Sequence, residues 1–272
     1  MVNNMNDDTD IRRLINPRRS RDEPERQYGQ SVCELRHRQK PLADENMPEL
    51  APGLMQDGPT DVVSGVIGIS DPRSEATRQL RELCATLILQ CFNREEGFRT
   101  LAITSLNKGD GRSFIASNLA FMCAEFGRRT LLIDADLYNP VQHLHFRIAS
   151  KGGLGPLLSG SEDGLVTFAV PGMDNLHIVP AGPPQDNPAA LVGQPEFAAL
   201  LERLRINYDV ILIDTPAHLQ ATDARMIAAA AGSAMMVARK DISSTRRLQE
   251  MVCSFGESGI RLAGFALNNY GR

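Results

Sequence analysis

A doubly wound α/β domain, a mostly parallel sheet with helices on both faces, is predicted by three observations. From residue 74 onward short apolar runs alternate with helical periodicities, two of those runs end in aspartate, and a glycine-bearing loop joins one run to a helix. The first element is a helix over Ser74–Gln90, with Leu80, Leu83, Leu87 and Ile88 on one face. Thr100–Thr104 follows as a buried strand built on Leu101, Ala102 and Ile103, and Arg112–Phe126 as the helix after the glycine loop. Further strands are expected near Thr130–Asp134, His177–Pro180, Asp209–Asp214, Ala234–Arg239 and Leu262–Leu267. Helices near Pro195–Ile206, Asp223–Ala231 and Ser244–Ser258 connect them. Residues 1–60 carry prolines, charges and little periodicity. They read as a disordered or weakly structured extension, with a short helix around Ser31–Arg38, ahead of a domain spanning 61–272.

Composition bounds the function. The 272 residues are 42% hydrophobic, enough for a full core, and the formal net charge of -4 argues against a nucleic-acid protein. The arginines from Arg12 to Arg26 are interleaved with Asp22, Glu23 and Glu25, which reads as a solvated mixed-charge segment. Five cysteines (Cys33, Cys84, Cys91, Cys123 and Cys253) show no metal spacing and are expected as reduced thiols. The longest small-apolar stretch, Met226–Ala238, falls short of the ~18 residues a membrane span needs. With no N-terminal apolar signal segment, membrane contact is expected only through a partner.

The chemistry concentrates in Leu101–Pro140. Gly109 and Gly111 let the turn after the first strand bring backbone N–H groups close to phosphate oxygens, and the following helix points its positive end at the same place. Lys108, Gly109, Asp110, Gly111, Arg112, Ser113 and Phe114 form the candidate phosphate loop. Arg112 and Ser113 stand where G-x-x-x-x-G-K-S/T places its cation and its metal-binding hydroxyl, although Leu106 occupies the first glycine position and arginine replaces lysine. Asp134 and Asp136 end the second strand, and Asp214 ends Val210–Asp214 in the manner of a Walker B acid. Ordinary turns and helix caps are the structural alternative for each feature taken singly. Together they describe a site for Mg²⁺ and a nucleotide, with Ser113, Asp136 and Asp214 as metal-binding residues, the acids acting directly or through water.

Four blocks carry a family resemblance: Glu75-x-x-Arg78-x-x-Arg81, GDGRSF, LLIDADLYNPVQH, and VILIDTPA followed by Asp223-Ala224. On these, the segment from about Ser74 to the C-terminus resembles the bacterial tyrosine kinases that regulate capsule and exopolysaccharide chain length, in particular their EpsG-like cytoplasmic branch. The resemblance implies a P-loop NTPase fold and ATP with Mg²⁺ as cofactors. It makes Asp134 the candidate base beside Arg112 in catalysis, with orienting the groups that hold the metal as the alternative, and Asn268 an adenine-facing residue. It also implies a homo-oligomeric ring joined through Glu75, Arg78 and Arg81, with an ordinary surface charge pair of Glu75 and Arg78 as the alternative. The implied partner is a membrane chain-length determinant protein that recruits a cytoplasmic chain to the inner face of the membrane. The better-known kinases end in a run of tyrosines, whereas here Tyr270 is the only acceptor in the tail. Two other classes stay open. One is a non-catalytic, nucleotide-gated regulator. The other is a partition-type ATPase, whose signature lysine would fall at Asn107 rather than at Lys108.

Overall fold

A computed structural model describes residues 50–51, 65–93, 97–217 and 222–269. Apart from Leu50–Ala51, the expected N-terminal extension with its helix near Ser31–Arg38 lies outside these residues, as do Cys33 and Tyr270.

In chain order the elements are β1 (Leu50–Ala51), α1 (Ile67–Ser70), α2 (Glu75–Leu87) continuing into a π turn (Ile88–Phe92), β2 (Thr100–Ser105), α3 (Arg112–Glu125) and β3 (Thr130–Asp134). They continue with α4 (Gln142–His145), α5 (Leu154–Leu158), β4 (Thr167–Val170), β5 (Met173–Val179), α6 (Pro188–Val192) and α7 (Pro195–Asn207). The last are β6 (Val210–Asp214), α8 (Asp223–Ala231), β7 (Ser233–Arg239), α9 (Thr245–Glu257) and β8 (Arg261–Asn268). The strands form one sheet in the order β1-β4-β5-β3-β6-β2-β7-β8. From β5 to β8 all neighbours run parallel, and β4 turns back antiparallel against β5. The doubly wound reading holds. The sequence reading lacked β1, β4 and the four- and five-residue helices, because elements this short carry too few residues for a period to register.

Alternation explains why the central strands are apolar throughout. In β2, Leu101 and Ile103 pack on one face of the sheet while Ala102 packs on the other. In β6, Val210 and Leu212 share the first face and Ile211 and Ile213 the second. Helices cover both sides, as a parallel sheet requires. Leu80, Cys84 and Leu87 of α2 with Ile115 and Leu119 of α3 close the first face, and Phe197, Ile227 and Phe255 of α7, α8 and α9 close the second.

The first face also seats α2. Ser74 caps the helix by accepting from the Thr77 N–H at 3.2 Å. Arg81 then forks onto Glu125 at the end of α3, with Nε to Oε2 at 2.9 Å and Nη2 to Oε1 at 3.0 Å. Between these helices the buried thiols of Cys84 and Cys123 lie 3.2 Å apart. Among the described residues the cysteines are unbridged, and no helix is long and apolar enough to cross a membrane.

Candidate nucleotide site

Register gathers the acids. Asp134 at the end of β3 pairs with Asp214 at the end of β6, and Asp214 pairs on its other side with Ile103 of β2. The loop that leaves β2 therefore rises directly beside two carboxylates. This is the carboxyl edge at which parallel sheets collect ligands.

The loop itself is braced from within. Asp110 is buried, and its Oδ2 accepts from the Asn107 backbone N–H at 2.9 Å and from Asn107 Nδ2 at 3.3 Å. Gly109 and Gly111 take φ of +84° and +98°, and Gly111 stands immediately before α3. Asn268, 158 residues away from Asp110, donates Nδ2 to the Asp110 carbonyl at 3.0 Å, so the end of β8 is tied to the loop. A Cβ added at Gly111 would run into that Asn268 amide. Gly111→Ala should therefore both strain the turn, by about 1–2 kcal/mol, and displace Asn268, weakening nucleotide binding roughly tenfold by calorimetry.

Arg112 turns inward rather than out to solvent. Its Nε donates to the Thr215 carbonyl at 2.9 Å, and Nη1 to Ser105 Oγ at 2.7 Å and to the Asn107 carbonyl at 3.0 Å. Nη2 lies 3.7 Å from Asp136 Oδ2. One planar head thus joins the phosphate loop to the ends of β2 and β6, a reach suited to a guanidinium fork. Lys108 is exposed and bonds Asn139 Oδ1 at 3.2 Å, bridging the loop to the segment after Asp136. Phe114 leans against the first-face core, so its side chain belongs to packing.

The three acids differ in their partners. Asp134 is fully buried and accepts from the backbone N–H groups of Val141 at 3.1 Å and Gln142 at 3.0 Å, holding the entry to α4. Burial and the neighbouring Asp214 charge push its carboxyl well above the usual range. Asp136 spends Oδ1 on the N–H groups of Tyr138 and Asn139, at 3.3 and 3.0 Å, and turns Oδ2 to Arg112. Asp214 accepts from Gln142 Nε2 at 2.8 Å through Oδ2, while its buried Oδ1 has no hydrogen-bond partner among the described residues. Burial raises its carboxyl to about 6 against the opposing pull of Ser113 and Gln142.

Three carboxylates around one guanidinium leave the site short of positive charge. A buried oxygen without a donor is costly unless something else satisfies it. Among the described residues no three His, Cys, Asp or Glu side chains form a metal-holding group. The donor set instead suits a hard cation that keeps its waters: the Ser113 hydroxyl, the bare Asp214 Oδ1 and, nearby, Asp136. The residues fit magnesium on that ground.

A pH dependence follows with a definite sign. Asp214 titrates near 6 in the fold but near 3.9 when unfolded, so it favours the folded state fully below about pH 4 and loses that contribution as pH rises through about 6. In the absence of a cation, Asp214→Asn should therefore stabilise the domain at pH 8 and not at pH 4, by thermal melting. A variant destabilised equally at both would contradict the assignment.

The structure brings Lys108 to Ser113, Asp134, Asp136, Asp214 and Asn268 to one edge. Glu75, Arg78 and Arg81 lie elsewhere, on α2. There Arg78 reaches both Glu75 and Glu82, at 2.7 Å for the latter, and Arg81 is held by Glu125. Gln142 was missed as a site residue although it stands in the block after Asp136. It is fully buried and touches both Ser113 and Asp214. The carbonyl of Thr215 was missed as well, since backbone acceptors leave no mark in side-chain identity.

Comparison with known proteins places the chain in a family. Residues 98–257 match the family model described as cellulose biosynthesis protein BcsQ. The chain is 33% identical over 201 residues to EpsB of Ralstonia nicotianae, covering 73% of this chain and 26% of that one. It is 28% identical over 207 residues to the tyrosine-protein kinase Wzc of Salmonella typhimurium, covering 76% of this chain and 28% of that one. The chain thus spans about a quarter of the length of these curated relatives. Among solved structures, the kinase domain of the Escherichia coli tyrosine kinase Etk superposes with a TM-score of 0.69 at 25% identity, over 76% of this chain and 84% of that one.

Proposed function

This chain belongs to the family described as cellulose biosynthesis protein BcsQ, and we propose that, like the tyrosine kinases it is similar to, it binds Mg-ATP at the edge of β2, β3 and β6 and acts as a tyrosine autokinase-like regulator of exopolysaccharide chain length. The observation that carries the nucleotide part is the bare, buried Oδ1 of Asp214 beside Ser113, at the foot of a helix entered through Gly111. Magnesium bound there would neutralise charge on the terminal phosphates. The chain's own residues supply the rest. Backbone N–H groups from Gly109 to Ser113 receive phosphate oxygens, and Arg112 adds permanent positive charge beneath them. Asp134, its carboxyl raised by burial and by the Asp214 charge, is the group proposed to accept a tyrosine proton, at the carboxylate that also holds the Val141 and Gln142 N–H groups. Asn268 is proposed to meet the adenine from the end of β8. Tyr270, outside the described residues, is the proposed acceptor.

The proposed setting is cytoplasmic, with the chain recruited to the membrane by a chain-length determinant protein. Incubation with labelled ATP, with and without the cytosolic segment of such a partner, tests the activity. Label on tyrosine that disappears in Tyr270→Phe supports an autokinase. Free phosphate alone would point to an ATPase, and bound nucleotide without turnover to a gated regulator. That second reading draws support from Arg112, whose fork is occupied by three protein oxygens.

A ring joined through α2 is proposed from the family. Glu75 and Arg78 are exposed and available to a neighbour, whereas Arg81 already serves the α2–α3 seam. Glu75→Ala with Arg78→Ala should release monomers in light scattering while leaving ATP affinity unchanged. A wild type that is monomeric at every concentration and nucleotide state would remove the ring.

A further inference from the structure

Gln142 touches both halves of the proposed cation site. Its amide nitrogen is shared between the Ser113 carbonyl at 3.1 Å, in the first turn of α3, and Asp214 Oδ2 at 2.8 Å, at the end of β6. Its backbone N–H is held by Asp134 Oδ2 at 3.0 Å, so the residue is fixed at its base as well as its tip. It is fully buried, and its own Oε1, like Asp214 Oδ1, is buried with no hydrogen-bond partner among the described residues. Both neighbours of the amide nitrogen are acceptors only, which settles which end of the amide points to them. The amide oxygen is thereby left facing away from its two known partners.

Two consequences follow from hydrogen-bond chemistry. Donation to Oδ2 fixes the rotation of the Asp214 carboxylate, so that Oδ1 is the oxygen left bare. The bare Oε1 can receive a hydrogen from a coordinated water, since a magnesium ion keeps several and each needs an acceptor. Resting on the Mg-nucleotide reading above, we propose that Gln142 is a positioning residue for the cation: it presents Asp214 Oδ1 and holds a cation-bound water through Oε1. Its action is on the metal rather than on the nucleotide directly, which separates it from the phosphate loop.

Calorimetric titration of the full chain with ADP, once in EDTA and once across a magnesium series, tests this. Gln142→Met keeps the side-chain length and removes both polar atoms. Its ADP affinity in EDTA should stay within about twofold of wild type, while the magnesium concentration giving half of the affinity gain should rise by about tenfold or more. Gln142→Asn, too short to reach Asp214, should behave the same way and serves if the methionine variant fails to fold. Thermal melting verifies each fold. Equal losses with and without magnesium in the folded variants would show a purely structural residue and overturn the inference, as would an unchanged magnesium midpoint. A wild type that binds ADP with no magnesium gain would remove the cation reading itself, and the role of Gln142 with it.

Discussion

Arg112→Ala should lower ATP affinity ten- to a hundredfold, because a lost charge-assisted contact to phosphate is typically worth about 1.5–3 kcal/mol. It should also destabilise the ligand-free domain. The guanidinium holds Thr215, Ser105 and Asn107 together and is the cation paired with Asp136, so its removal leaves buried carboxylates without a counter-charge. Breaking such a buried pair typically costs about 3–5 kcal/mol. Arg112→Lys separates two roles. It keeps the charge but replaces a fork with a point, so a single ammonium cannot reproduce contacts made from Nε and Nη1 at once. Binding that survives in the lysine variant with a reduced melting temperature would assign the fork to architecture and the charge to phosphate. Equal losses in the alanine and lysine variants would instead show that the fork itself is needed for binding.

Asp214→Asn should remove most of the magnesium dependence of nucleotide binding. The amide cannot offer a full negative charge at the position of the bare Oδ1, an oxygen for which no described residue supplies a donor. Loss of about tenfold to a hundredfold in magnesium affinity is expected, read from the magnesium concentration at half effect in an ATP titration. Asp136→Asn should weaken the same quantity less, since Asp136 already shares its charge with Arg112 and two backbone N–H groups. Asp134→Asn should leave binding closer to wild type and reduce label transfer to tyrosine. Full-rate transfer in that variant would exclude Asp134 as the base.

Much of this site was legible in the sequence because its residues advertise themselves by type and position. Gly109 and Gly111 adopt left-handed backbone that few other residues tolerate, and Asp134, Asp136 and Asp214 interrupt runs that are otherwise apolar. Leu101–Ile103 and Val210–Ile213 could be recognised as strands buried on both faces, and the register did the rest by placing their ends together. Direction was harder. Arginine at position 112 announces a charge but not that its head turns under the loop toward Thr215. The strand Thr167–Val170 escaped notice because four residues, running antiparallel to β5, show neither a helical nor a long apolar signature. Gln142 escaped for a different reason. A single amide after a proline turn has many ordinary uses, and its value comes from contacts with residues 29 and 72 positions away.

Equilibrium binding of ATP to the wild-type chain, measured by calorimetry in EDTA and again in saturating magnesium, tests the central claim most directly. One site per chain is expected, with binding in both conditions and affinity raised at least about tenfold by magnesium. Absence of detectable ATP binding in both conditions, with the domain verified as folded, would contradict it.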